Sequence, residues 1–196
     1  MHLVFDIFQG IGVASAVGIR PFLPALAVGG LAAGDIQIDF SHTDFSFLES
    51  APFLLGMVVG TTLLALLERR HGAEGSERSP VMLIVAAAAL ALGALLFAGS
   101  LCRGGYAIWP GLVGGIICAA VGVLATLPLL ARARTRLDQE SIGALPLFVE
   151  GIALIAAVLS ILLPPVGVIV LALLLWLLIA GRGRGEQKYA GLRILR

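Results

Sequence analysis

Charged residues are scarce in this sequence: only 13% of the 196 residues are Asp, Glu, Lys or Arg, whereas 59% are hydrophobic. Soluble domains carry about a quarter charged residues, and this apolar excess is more than one soluble core of this size can bury. A formal net charge of +1 also provides no basic face for nucleic acid. These shortages exclude an ordinary soluble domain and predict that the lipid bilayer is the main partner.

Cysteine and histidine are also sparse, with two and three residues. Cys102 and Cys118 lack metal-site spacing, so we predict packed or free thiols rather than a disulfide. The sequence has no nucleophile beside a histidine, no paired-histidine metal motif, no phosphate loop and no dinucleotide fingerprint. We therefore expect no cofactor, no bound metal and no enzymatic activity.

Six apolar stretches are long enough, or nearly so, to cross a hydrocarbon layer of about 30 Å. They are residues 3–32, 50–68, 80–101, 107–131, 142–163 and 165–181. The first lacks a basic leader and a cleavage site, so we expect it to remain in the mature protein. The prediction is an all-α membrane protein of about six transmembrane helices, forming a single domain over 1–196. The short connection at Pro164 and Pro165 leaves open a re-entrant hairpin of the last two stretches.

The connections between the stretches differ in charge, which predicts their side of the membrane. The first connection has four acidic residues and no Lys or Arg, while the second, the fourth and the tail at 182–196 hold eleven of the thirteen Lys and Arg residues. Basic connections stay on the cytoplasmic side. We therefore predict six crossings with both termini cytoplasmic. The basic tail is either a simple anchor or a segment that binds anionic lipid headgroups.

Two parts of the sequence resemble each other. AVGIRPFLPALA at 16–27 aligns with AVGVLATLPLLA at 120–131, and FLES at 47–50 matches FVEG at 148–151. Because three helices are an odd number, the second copy would enter the membrane from the opposite side. We predict two inverted three-helix repeats, 3–101 and 107–181, with Gly/Pro-broken helices one and four. Transporters of this kind bind their ligand where the broken helices meet.

Two charged residues, Arg20 and Glu150, lie within apolar stretches, where a charge costs about 2.5–3.5 kcal/mol. They either form a structural ion pair, which we slightly favour, or act on a ligand. In the second case Arg20 receives an anionic group and Glu150 handles a proton or cation. The candidate substrate-binding residues are Arg20, Pro21, Pro24, Pro128 and Glu150. Secondary polar candidates are Asp6, Gln9 and Glu49, for which the alternative is a place at the membrane interface.

Small residues recur four positions apart in several stretches, as Gly10, Ala14 and Gly18 do in the first. Faces of this kind let two helices approach closely. The contact is either within the chain, which we favour, or between the subunits of a homodimer.

The run GIRPFLPALA, the acidic residue in FVEG and the ending KYAGLRILR resemble the bacterial membrane-protein family known as domain of unknown function 4126. The resemblance covers nearly the whole chain. It implies a compact multi-pass protein of the bacterial inner membrane, in which the region of Arg20 and Pro24 and the residue Glu150 match family motifs. It implies no activity or substrate.

The leading hypothesis is a small transporter or channel-like protein for a small solute or ion, with its site at the repeat interface. The first alternative is a non-transporting scaffold or assembly partner, in which the buried charges are structural. The second is an intramembrane enzyme that acts on lipid or quinone and uses Glu150 as an acid or base. Stabilisation by a solute would favour transport, and a stoichiometric bound lipid or cofactor would favour the enzyme.

Overall fold

A computed structural model describes residues 2–71, 80–134, 136–137 and 139–190. This part of the chain is all helical and contains no strand. Its helices are α1 His2–Ile19, α2 Phe22–Ala33, α3 Ala51–His71, α4 Pro80–Arg103, α5 Ile108–Arg134, α6 Gln139–Leu162 and α7 Pro164–Ala190. A short 3₁₀ helix, Ser46–Glu49, lies between α2 and α3.

Five helices, α3 to α7, are long and apolar enough to cross a membrane. They correspond to the last five predicted stretches. α6 and α7 are separate helices of 24 and 27 residues, and each is long and apolar enough to cross by itself, which favours two crossings over one re-entrant hairpin. Large apolar side chains such as Leu83 and Trp176 are exposed on the outside of the bundle, as contact with lipid requires. The lipid contact predicted for the tail falls on side chains from 182 onward, outside the described residues.

The first predicted stretch is a hairpin of two helices rather than one crossing helix. α1 ends at Ile19 and α2 begins at Phe22. Pro21 has no N–H for the carbonyl four residues earlier, and a proline disfavours the helical conformation of the residue before it, here Arg20. Pro24 lies in the first turn of α2, where the N–H groups have no intrahelical partner and a proline is tolerated. The predicted break is confirmed, but a count of six crossing helices is not.

Close contacts at glycines fix the direction of each helix. A Cβ on Gly10 would meet the ring of Phe97, and one on Gly93 would meet the carbonyl of Ala14, so α1 and α4 are antiparallel. The short connection after α4 and the contact of Gly115 with Gly93 make α5 antiparallel to α4. α1 and α5 therefore run in the same direction. Because the hairpin adds a helix, four helices precede α5 instead of three. α5 therefore does not enter from the opposite side to α1, and the predicted inversion is not confirmed.

The fourth predicted stretch is the continuous helix α5, so the interruption predicted at Gly122 and Pro128 is not found. Pro128 lies inside the helix, which membrane helices tolerate because neighbouring groups satisfy the freed carbonyl. Thr126 Oγ1 donates to the carbonyl of Gly122 at 2.7 Å, a bond that often accompanies a helix bend. Of the two aligned segments, only 16–27 contains the end of a helix, whereas 120–131 lies within α5. The prediction of a break in both segments is therefore wrong for the second.

Two ion pairs mark the two ends of the bundle. At the Arg103 end, Arg103 of α4 binds Asp6 near the start of α1 and the carbonyl of Gln37 after α2. At the Arg20 end, the turn between α1 and α2 meets the end of α3, where Arg20 binds Glu68. The connection after α2 and the start of α1 therefore lie at the same end.

The course of α7 places the end of the described chain opposite to its start. Gly167, near the start of α7, packs against the backbone of Phe8 in α1. Arg132, near the end of α5, donates to the carbonyl of Gly181 at 2.9 Å. α7 therefore runs from the Arg103 end to the Arg20 end. This differs from the predicted topology, in which an even number of crossings put both termini on one side.

Cysteine labelling tests this arrangement. In a background lacking Cys102 and Cys118, single cysteines at Leu3 and Asp44 are expected to react from one side of the membrane, and a cysteine at Arg136 from the other. The reason is that the α1–α2 hairpin returns the chain to its starting side. The measurement is modification by a membrane-impermeant maleimide in sealed vesicles. If Leu3 labelled with Arg136, the first stretch would cross as one helix and the hairpin would be wrong.

The centre of the bundle is α1, which contacts α4, α5, α6 and α7. Its residues from Gly12 to Gly18 are all buried. A Cβ at Gly18 would lie 2.3 Å from the carbonyl oxygen of Ala119 in α5, so glycine is needed for this close approach. The prediction that small residues serve packing within the chain is confirmed for this face of α1. Gly56 of α3 instead meets open space.

Candidate functional site

Three charged side chains meet at the Arg20 end, and we call them the Arg20 cluster: Arg20, Glu68 and Glu150. Arg20 Nη1 donates to Glu68 Oε1 at 2.6 Å, and the two side chains are only 7% and 22% exposed. Glu150, half-buried on α6, lies close enough to feel the charges of both partners. The predicted neighbours Arg20 and Glu150 are thus brought together, but the direct ion pair of Arg20 is with Glu68.

The helix break positions the guanidinium. Arg20 follows the last residue of α1, where the unpaired carbonyls of a helix end carry partial negative charge and favour a cation. Pro21, itself fully buried, turns the chain into α2. The chain reversal aims the side chain away from the α1 axis toward α3 and α6, which supply the carboxylates. The broken helix and the charge are therefore parts of one local structure.

Two polar atoms of the Arg20 cluster have no partner within the described part of the chain. Arg20 Nε and Glu150 Oε2 are both buried, and neither makes a hydrogen bond there. A buried donor or acceptor left unsatisfied costs about 1–3 kcal/mol. A donor and an acceptor are therefore available in the cluster for a small ligand or for water.

A second polar group lies at the Arg103 end, and we call Asp6, Gln9 and Arg103 the Arg103 cluster. Arg103 Nη2 donates to Asp6 Oδ1 at 2.6 Å and to Gln9 Oε1 at 3.3 Å. Asp6 and Gln9 are 4% and 2% exposed, so both side chains are buried within the protein. Gln9 Nε2 has no hydrogen-bond partner among the described residues.

The connection between α2 and α3 covers the Arg103 end. Asp39 in this connection feels the charge of Arg103, and hydrogen bonds from Ser41 lower the pKa of its carboxyl group, so Asp39 is ionised at neutral pH. Glu49, a secondary candidate, accepts a hydrogen bond from the backbone N–H of Phe40 at 3.1 Å. Glu49 therefore shapes the connection and belongs to neither cluster.

Two surface grooves are lined by other residues than those of the clusters. One, of about 250 Å³, is lined by the apolar outer face of α6 from Leu147 to Ile155, and another, of about 180 Å³, lies between α4 and α5. Neither groove includes a residue of either cluster. In the part of the chain that the structure describes, no three His, Cys, Asp or Glu residues are placed to hold a metal ion. Cys102 and Cys118 are free thiols.

Sequence reasoning named Arg20 and Glu150 but missed the roles of Glu68 and Arg103. Glu68 ends an apolar stretch directly before two arginines, so it resembled an ordinary boundary residue. Arg103 follows the third apolar stretch, where a single basic residue is equally ordinary. Each of these residues lies at the same end of the bundle as an opposite charge in the first stretch: Glu68 near Arg20, and Arg103 near Asp6. The sequence could have indicated these pairs only if the position of the turn in that stretch had been known.

The fold and the two clusters define a class: a helical membrane protein whose α1–α2 hairpin is held by a partly buried ion pair at each end. Comparison with protein-family models, with curated proteins and with solved structures finds no match. Membership of the family that the sequence resembles stays a prediction.

Proposed function

We propose that the protein is a small transporter or channel-like protein for a small solute or ion, and that the Arg20 cluster is its binding site. The observation that supports this is the meeting of three charged side chains from three segments inside an apolar bundle, with a donor and an acceptor left unpaired. Ionisable side chains that face the interior of a membrane helix bundle are rare and commonly mark ion or substrate pathways.

The balance of charge in the cluster favours a proton or small cation over an anion. Arg20 is already neutralised by Glu68, and Glu150 adds a second carboxylate. An anionic ligand would have to displace Glu68 and tolerate Glu150. A proton or cation would instead remove the excess negative charge, which is the more favourable change where screening by water is weak.

The orientation that we propose follows the positive-inside rule. The connections carrying Arg69, Arg70 and Arg78, or Arg132, Arg134 and Arg136, follow α3 and α5, which both end at the Arg20 end. We assign this end to the cytoplasm of a bacterial inner membrane. The Arg103 end, with its acidic connection, then faces outward.

A scaffold function is the second candidate, and one observation favours it. Both ion pairs bind the α1–α2 hairpin to neighbouring helices, which is also what a purely structural role requires. In that case no small ligand would stabilise the protein, because the charges would have no further partner.

Ligand-dependent stability decides between the two candidates. The melting temperature of the purified protein in detergent is measured with monovalent cations and small neutral solutes at several pH values. A bound ligand at one hundred times its Kd adds about 2.7 kcal/mol, and Glu150→Gln is expected to abolish that gain. Gly151→Ala is the matched control, because its Cβ would meet open space one residue away. Indifference of the wild type would favour the scaffold, and a gain retained by Glu150→Gln would place the ligand outside the Arg20 cluster.

A further inference from the structure

One face of α1 carries polar residues toward each end. Asp6, Gln9, Val13, Ala16 and Arg20 follow one another at spacings of three or four. The N–H of Arg20 bonds the carbonyl of Ala16 at 3.2 Å, so the helical spacing extends to Arg20. Residues so spaced share a helix face. A rise of about 1.5 Å per residue puts Asp6 and Arg20 about 21 Å apart along the axis, with one cluster at each end of the face.

The two ends of this face have the same pattern of charges. Each arginine makes a 2.6 Å ion pair with one carboxylate, Asp6 or Glu68. Each also lies within electrostatic range of a second carboxylate, Asp39 at one end and Glu150 at the other. His42 is a further titratable group near Asp39. Arg103 with Asp6 and Asp39, and Arg20 with Glu68 and Glu150, therefore each set one guanidinium against two carboxylates.

Gln9 supplies the observation that points to a ligand. Its side-chain oxygen binds Arg103, which places its amide inside the cluster. Its Nε2 is a buried donor without an acceptor among the described residues. The Arg103 guanidinium that binds the Gln9 oxygen also binds the carboxylate of Asp6. The Arg20 cluster repeats this arrangement, with Arg20 Nε as the unpaired donor and Glu150 as the carboxylate.

Apolar side chains separate the two clusters. Val13 and Ala16, which lie between them on the shared face, are completely buried. They belong to one apolar core with Val28, Leu96 and Ile161. A polar ligand at one cluster can reach the other only if the helices around this layer move.

We propose that Asp6 and Gln9 form a second binding site, at the Arg103 end, for the ligand that the Arg20 cluster binds. The inference rests on the proposed function and names the ligand chemistry: a small protic group that accepts a hydrogen bond from Gln9 Nε2 and donates one to Asp6. A neutral water molecule that relays a proton has this chemistry, and so does the hydroxyl group of an uncharged solute.

Transport by the full-length protein in liposomes tests the second site. An internal pH dye measures proton entry driven by a potassium diffusion potential, and swelling in glycerol measures entry of a hydroxylated solute. Gln9→Met keeps the length of the side chain and removes its donor and acceptor. It is expected to slow the flux by about tenfold or more, as is Glu150→Gln. Gly56→Ala, whose added methyl meets open space on α3, should keep the wild-type rate.

Gly104→Ala provides a second variant in case Gln9→Met fails to fold. Its Cβ would lie 2.5 Å from the ring of Tyr106 and 2.7 Å from Asp6 Oδ2, so both side chains must move although the cluster keeps all of its polar groups. The same loss of flux is expected. Normal flux in both variants, with loss in Glu150→Gln, would overturn the second site and leave the proposed function standing. Wild-type flux no higher than that of empty liposomes in both assays would overturn both.

Discussion

Replacing Arg20 with alanine is expected to lower the free energy of unfolding by about 3 kcal/mol, because removal of one partner leaves a buried charge uncompensated. Glu68 would lose its 2.6 Å ion pair while remaining only 22% exposed, and Glu150 would lose the one cation in its cluster. The measurement is chemical unfolding in detergent, followed by helical circular dichroism. Arg20→Lys is the matched variant, since it keeps the charge but loses the fork geometry of the guanidinium.

A double-mutant cycle identifies which carboxylate, left without its cation, causes the loss of stability in Arg20→Ala. Adding Glu68→Gln to Arg20→Ala should recover more stability than adding Glu150→Gln, because only Glu68 bonds the guanidinium directly. The reverse order would mean that Arg20 pairs with Glu150, as the sequence had suggested. Strictly additive losses in both cycles would contradict any ion pair at Arg20.

Long apolar stretches predicted α3 to α7 well, because in a bilayer the hydrophobic length of a helix is the dominant constraint. The first stretch failed the same rule. Its 3–32 span is apolar throughout apart from Asp6, Gln9, Ser15 and Arg20, so hydropathy could not distinguish one tilted helix from two short ones. The Arg20–Pro21 step gave the position of the break correctly, but a proline does not specify whether the chain bends or reverses.

That single reversal explains the other differences from the sequence-based predictions. It changes the number of helices before α5 from odd to even, so α1 and α5 run together instead of in opposite directions. It brings Asp6 and Gln9 to the same end as Arg103, where both side chains are buried. Only part of the candidate site could be predicted. Charges within apolar stretches can be found in a sequence, but their partners depend on which helix ends meet in the fold.

The hairpin also explains why small residues are concentrated in α1. A helix surrounded by four others can fit only if its neighbours approach its backbone closely. Gly12 lies against Gly167 of α7, and Gly18 lies against Ala119 of α5. Arg20 follows the last residue of α1, so its position between α3 and α6 depends on how α1 packs against α5 and α7. The packing of α1 therefore determines the geometry of the candidate site.

Replacing Gly122 with alanine is expected to destabilise the protein by about 1–3 kcal/mol, the usual cost of overfilling a packed interior. The added Cβ would lie 2.6 Å from the carbonyl oxygen of Ser15 and 2.8 Å from the Cα of Gly18. Both are backbone atoms, so no rotation of a side chain can relieve the clash and the whole of α1 must shift relative to α5. Gly122→Leu should cost more. The measurement is the same chemical unfolding in detergent.

Gly151→Ala and Gly56→Ala control for the change of residue type. Both glycines are helical and a Cβ at either position meets open space, so alanine should be neutral or stabilise by up to about 1 kcal/mol through its higher helix propensity. The difference in stability between Gly122→Ala and these controls therefore reports the clash, separated from the effect of helix propensity. If Gly122→Ala were as stable as these controls, α1 and α5 would not cross at this distance. Because α1 carries Arg20 just beyond its end, a shift caused by Gly122→Ala should also weaken the ligand-dependent stabilisation that depends on Glu150.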